Sequence, residues 1–192
     1  MIYEIQNKLK LVLDEPRYQH TIGVMYTAGS MAMAFGYPIE KAMLAGLLHD
    51  CAKCITNEEK INLCKEYHIA ISDAEYANVS LLHAKAGAIL AKTLYGVEDL
   101  EILHAIQVHT TGEPNMSLLD KIIYIADYIE PNRDRAPRLE EIRKLAFSDL
   151  NQCMAEILYD TLMYLKKHNG VIDPLTQVSY DFYKIYRENK IF

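Results

Sequence analysis

The sequence has no tryptophan, only four phenylalanines and four cysteines, and no long apolar run. Each scarcity excludes something. The longest uninterrupted aliphatic stretch, AMLAGLL at 42–48, falls far short of the roughly 20 residues that a membrane-spanning helix needs. The opening MIYEIQNKLK lacks the apolar centre of an export signal, so a cytoplasmic protein with no membrane role is expected. Basic residues are not in excess: 20 Lys and Arg face 26 Asp and Glu, for a formal net charge of −6. A general nucleic-acid binder needs a broad basic face, and this balance argues against one. Any anionic ligand must be met locally, by a few cations. Sustained apolar–polar alternation with glycine-rich hairpin turns, the mark of strands, is also missing.

The cysteines stand at 51, 54, 64 and 153. Without an export signal they are expected to be reduced thiols. Cys51-x-x-Cys54 has the spacing of redox and zinc motifs. It lacks the strand–helix setting of the former, and Cys64 and Cys153 form no second pair for the latter. Cys51 is expected to pack and Cys54 to be incidental.

What the sequence does have is helical periodicity almost throughout. Ile2, Ile5, Leu9, Val12 and Leu13 form one stripe over residues 2–13. Pro16 opens and Gly36 stops a second helix, apolar on more than one face and therefore expected to be central. Pro38 opens a third, running to about Ala52. Thr56-x-x-Glu59 and Ser72-x-x-Glu75 read as capping boxes. Further helices are expected over 82–95, 98–110, 117–130, 139–147 and about 149–168, the last stopped by Gly170. Asp173-Pro174 caps a final one to about 189. The expectation is an all-α protein, a single compact helical bundle of about nine or ten helices over residues 1–192, with notable loops at 131–138 and 169–174.

Several polar residues do not suit such a core. His20 lies within an apolar helix, His49-Asp50 ends the next, His83 and His109 head or end two more, and Asp127 sits inside KIIYIADYIE. A carboxylate at a helix C-terminus opposes the helix dipole, and burying one unpaired costs roughly several kcal/mol. Lysine or arginine can supply the counter-charge. A metal ion supplies it more strongly and also uses histidine nitrogens. The spacings are too long for one loop, so these residues meet only if separate helices converge, as at metal sites in helical bundles. Mixed His and carboxylate donors suit a first-row ion of higher coordination number better than structural zinc. Such an ion lowers the pKa of bound water from about 15.7 towards about 7 and can grip a phosphoryl oxygen.

RYQHTIGV (17–24), KAMLAGLLHDCAK (41–53), His83, HTTGEPNMSLLDKIIYIADYIEPNRD (109–134) and NGVIDPLT (169–176) together resemble the HD-domain superfamily of metal-dependent phosphohydrolases. The nearest branch is the YqeK-like family of symmetrical bis(5'-nucleosyl)-tetraphosphatases. The resemblance covers about residues 15–185. It implies metal ligation by His20, His49, Asp50 and Asp127, with His83 and His109 holding a second metal or touching a substrate phosphate. It implies one or two divalent first-row ions, iron before manganese or cobalt, and hydrolysis of diadenosine tetraphosphate into two ADP. His49, Asp50, Lys53, His83 and His109 are then the catalytic candidates. Substrate contacts are expected from Arg17, His20, Lys53, His83, His109, Arg133 and the loop Gly170, Val171, Ile172, Asp173, Pro174 and Leu175. Other readings within the superfamily are a nucleotidase or deoxynucleoside triphosphate hydrolase. A reading from another class is a non-catalytic sensor of nucleotide or metal. The expected partner is a small nucleotide, and a homodimer is compatible with all of these.

Overall fold

The structure, a computed structural model, describes residues 2–188, so residue 189 of the last expected helix and the ends of the expected 1–192 unit lie outside the described residues. Within it there are α-helices and a single 3-10 turn, and no strand. The helices are α1 (Ile2–Val12), α2 (Glu15–Phe35), α3 (Ile39–Leu48), α4 (Asn57–Glu66), α5 (Asp73–Ala77), α6 (His83–Thr93), α7 (Leu100–Val108), α8 (Leu118–Ile129), α9 (Leu139–Leu145), α10 (Leu150–Lys167), α11 (Pro174–Tyr183) and α12 (Ile185–Glu188). The total exceeds the expected nine or ten because α5 is a single capped turn and α12 is a four-residue turn split from α11. No described helix is long and apolar enough to cross a membrane.

Local chemistry accounts for most boundaries. Both expected capping boxes form, Thr56 with Glu59 and Ser72 with Glu75, and a third joins Ser117 to Asp120 at the start of α8. Gly36 ends α2 in the left-handed conformation, φ 68°, which costs glycine little. After α10 that conformation falls to Asn169, φ 50°, and not to Gly170. A Cβ on Gly170 would approach Leu165 Cδ2, the end of a flexible side chain, to 2.9 Å. The third helix stops at Leu48 and not near Ala52. His49 caps it, and the chain turns through Cys51 N–H to Leu48 O and Lys53 N–H to Asp50 O.

The core is one contiguous cluster fed by α1, α2, α3, α7, α8 and α10, with a satellite of Cys64, Leu82 and Ile89. α2 packs on α1, α3 and α8, as its broad apolar surface implies, but α8 is more central still, touching α2, α3, α7, α9 and α10. α2 and α3 approach closely at Gly46. A Cβ there would lie 3.1 Å from Met25 Cα and 3.2 Å from Val24 O. Both atoms are backbone of a packed helix and cannot yield without moving α2. Overpacking costs about 1–3 kcal/mol, and alanine gains roughly 1 kcal/mol over glycine in a helix interior. Gly46→Ala is therefore expected to lose up to about 2 kcal/mol, read as a lowered urea midpoint.

A surface brace ties α7 to the start of α8. His104 lies with Nδ1 3.0 Å from Asp120 and Nε2 3.1 Å from Glu113. Burial disfavours protonation of His104, but Asp120 and Glu113 more than reverse this and raise its pKa above the ordinary 6.5. A raised folded-state pKa stabilises the fold fully below the unfolded value and loses that contribution as pH rises through the folded one. Wild type should exceed His104→Ala in stability at about pH 6, and the gap should close at about pH 9. Denaturant midpoints at the two pH values check it.

Candidate active site

Five helix ends or faces deliver the polar residues singled out above to one place. α2 brings His20, the α3 terminus His49 and Asp50, the start of α6 His83, the α7 terminus His109, and α8 Asp127. His20 Nε2 is 3.3 Å from His49 Nε2 and 3.1 Å from Asp127 Oδ1. His49 Nε2 lies 3.5 Å from Asp50 Oδ2, and His83 Nε2 lies 3.2 Å from Asp50 Oδ1 and 3.1 Å from His109 Nε2. Asp50 thus faces one cluster, with His20 and His49, through one oxygen, and another, with His83 and His109, through its second oxygen.

Three of these histidines are held in the same way. His49 Nδ1 is 2.7 Å from Gly46 O, His83 Nδ1 is 2.6 Å from Ser80 O, and His109 Nδ1 is 2.6 Å from Ile106 O. A carbonyl only accepts, so each Nδ1 carries a proton and each ring turns its Nε2 into the site. His20 reaches the same state by another route, its Nδ1 lying 3.0 Å from the buried carboxylate of Glu130. Four Nε2 atoms therefore face one another and two carboxylates.

Electrostatics sharpen the picture. Burial raises the Asp50 carboxyl pKa, but His49, His109 and His83 around it more than reverse this and hold it well below the usual range. Burial likewise works against Asp127, and His20, His49 and Arg133 overcome it. Burial also pushes the His83 imidazole down to about 4, against the pull of Asp50, so it is neutral at pH 7. The carboxylates stay ionised beside a neutral ring. Asp50 Oδ1 is buried with no hydrogen-bond partner, an orphan of the kind that marks a missing ion or water. A divalent cation fits this donor set: nitrogen and carboxylate oxygen, without thiolate.

Around the donors lies a cleft of about 1190 Å³. Lys53 and Thr110 stand at the donor cluster: Lys53 Nζ and Thr110 Oγ1 are each 3.1 Å from His83 Nε2. α8 adds Tyr124 and Tyr128, α10 adds Asp160, Thr161, Tyr164 and Leu165, and residues 132–137 form a rim. Arg17 and Arg133 line the cleft as expected, but each is engaged by a carboxylate. Arg17 Nη1 is 2.6 Å from Asp50 Oδ2, and Arg133 Nη2 is 2.7 Å from Asp127 Oδ1. Asp134 pairs with Arg135 at 3.8 Å.

The loop expected to touch nucleotide does not reach this cleft. None of Gly170, Val171, Ile172, Asp173, Pro174 or Leu175 lines it. Asp173 is occupied as the cap of α11, accepting from Leu175 N–H, and its other oxygen accepts from Ser72 Oγ. Gly170 folds back onto Leu165. The wall on that side is α10 itself. Glu130 and Thr110 were not anticipated from the sequence. Glu130 had a signal: like Asp127 it is a carboxylate closing an apolar helix, and three residues on it shares a face. Cys51 is buried, its Sγ 3.4 Å from Gly87 O, whereas Cys54 is exposed and turned toward Asp14. They serve different surroundings, and burial pushes the Cys51 thiol pKa up.

Fold and site together define a class: helical domains that gather histidines and aspartates from several helix ends around a divalent cation. A family model for the HD domain matches residues 17–132. Curated relatives named "Bis(5'-nucleosyl)-tetraphosphatase, symmetrical" are 45% identical in Halalkalibacterium halodurans and 42% identical in Bacillus subtilis. The first alignment covers 88% of this chain and 89% of the relative, the second 91% and 92%. A crystal structure from Clostridium acetobutylicum, described as a "predicted HD superfamily hydrolase involved in NAD metabolism", superposes with a TM-score of 0.92 at 40% identity over 96% of this chain and 97% of that one. The chain belongs to the HD-domain family, in the branch that holds the symmetrical bis(5'-nucleosyl)-tetraphosphatases.

A metal bound at 100 times its dissociation constant stabilises a protein by about 2.7 kcal/mol. Manganese should raise the melting temperature of the metal-stripped protein accordingly. Asp50→Asn, which keeps the shape but removes the shared charge, should abolish that rise. A variant that melts with the wild-type increment contradicts the site.

Proposed function

We propose that this chain hydrolyses diadenosine tetraphosphate symmetrically, giving two ADP, with one or two divalent first-row ions as cofactor. The observation that carries the reading is the convergence of four histidine Nε2 atoms on the Asp50 and Asp127 carboxylates, with Asp50 Oδ1 buried and without a hydrogen-bond partner. Near full-length similarity to relatives bearing that name supports the substrate. So does the cleft, which is larger than the roughly 300–1,000 Å³ of common small-ligand sites. His20, His49, Asp50 and Asp127 hold one ion; His83 and His109, with the second oxygen of Asp50, hold another or meet a phosphate directly. Iron is the first choice, with manganese or cobalt as substitutes, because the resemblance to the YqeK-like family implies it; imidazole and carboxylate donors are compatible with all three.

When bound, such an ion supplies Lewis acidity to a phosphoryl oxygen and acidifies a water. The chain's own residues do the remainder. Water adds across the central anhydride: its oxygen bonds to one of the two inner phosphorus atoms, the bond from that same phosphorus to the bridge oxygen breaks, the departing ADP keeps the bridge oxygen, and the water's two protons pass to solvent. The transition state spreads charge over the phosphoryl oxygens, and positioning plus neutralisation dominates. Lys53, about one-third exposed beside His83, is placed to donate to one such oxygen. Thr110 Oγ1 sits between His83 and His109 and can donate to a second. Arg17 pairs with Asp50 and Arg133 with Asp127, and both line the cleft, where a forked guanidinium suits phosphate.

The test is product analysis. Metal-stripped protein reloaded separately with iron, manganese, cobalt, zinc or magnesium is expected to release ADP as the sole nucleotide product, fastest with iron, manganese or cobalt. AMP plus ATP would reject symmetrical cleavage. Binding without turnover under every metal would point to the sensor reading.

A further inference from the structure

His20 is the exception among the four histidines. The other three stand at helix ends and give Nδ1–H to a carbonyl three residues back on their own chain segment. His20 lies inside α2, and its Nδ1 is set by Glu130, 110 positions away. We infer that Glu130, with Gly23 as the space that admits it, is a positioning residue that fixes the tautomer and ring plane of His20 and thereby sets the affinity for the divalent cation. This rests on the metal reading proposed above.

The geometry is specific. Glu130 is 1% exposed and follows directly on α8. Its Oε1 lies 3.0 Å from His20 Nδ1 and its Oε2 accepts from Asn132 N–H at 2.7 Å. Arg143 donates to its carbonyl at 3.0 Å, and Asn132 Nδ2 to Gln19 O at 3.4 Å. A side chain on Gly23 would run into Glu130 Oε2, so the carboxylate fits only because α2 carries glycine one turn after His20. Both Glu130 oxygens are acceptors in use. An amide in its place offers one oxygen to two N–H donors, so an NH₂ faces either the His20 ring or the Asn132 N–H. Facing the ring, it favours the tautomer with the proton on Nε2, which cannot bind a cation. A carboxylate on the far nitrogen also makes a histidine a more basic ligand, and losing such a partner typically costs about 10–100-fold in metal affinity.

The experiment is a cobalt(II) titration of the metal-stripped full-length protein, with a competing chelator for affinity and the visible absorption bands as a record of ligand geometry. Glu130→Gln is expected to weaken cobalt binding by about 10–100-fold and shift the bands. Gly23→Ala, which displaces the carboxylate without changing it, should move both in the same direction and keeps the test open if Glu130→Gln does not fold. Asn132→Ala removes only the tie to Gln19 and should leave affinity unchanged. Wild-type cobalt affinity and spectrum in Glu130→Gln, with or without a lower melting temperature, would make Glu130 a strut and overturn the inference. A wild-type protein that binds no cobalt would overturn it together with the proposed function, which separates the two failures.

Discussion

The structure depends on an arrangement that is unfavourable by itself. Four imidazoles turn Nε2 toward one another in a pocket that also holds two carboxylates, and the far nitrogen of every ring is already committed. An unsatisfied buried acceptor costs about 1–3 kcal/mol, and Asp50 Oδ1 is one. The contiguous apolar core from α1, α2, α3, α7, α8 and α10 must offset that cost before any ligand arrives. A cation removes it, so stability and ligand binding draw on the same atoms. The helix ends follow from this constraint. α3 and α7 stop at a histidine, and α6 starts at one, because the ring must reach a carbonyl on one side and the shared centre on the other.

Much of this was legible in the sequence. Periodicity located the helices, capping boxes fixed several starts, and the awkward polar residues His20, His49, Asp50, His83, His109 and Asp127 proved to be the ones that meet. What one dimension withheld was partnership. Arg17 and Asp50 are 33 positions apart, yet their 2.6 Å contact decides how free the guanidinium is. Gly23 reads as an indifferent helix glycine until Glu130 is placed against it. Glu130 was open to the same physical test that singled out Asp127.

The segment 170–175 shows how local structure uses the same residue types. A conspicuous loop with Gly, Asp and Pro invites a ligand-binding role. Here each feature is used locally: Gly170 clears Leu165, Asp173 caps α11 and meets Ser72, and Pro174 sits in the first turn. Cap chemistry and ligand chemistry employ the same residue types. Only the direction of the side chains separates them.

The rim of the cleft is fastened at both ends by arginine. Arg143 donates to Ile129 O, Glu130 O and Arg133 O, while Arg138 forks onto Asp160 and Glu156. Residues 134–137 hang between these fixed points. Fully extended, four residues span at most about 14 Å, so the tether length bounds how far this wall can travel. It also marks where evolution can lengthen the chain at small entropic cost, enlarging the entrance for a bulkier ligand while Asp127 and Glu130 stay in register with the helices that need them.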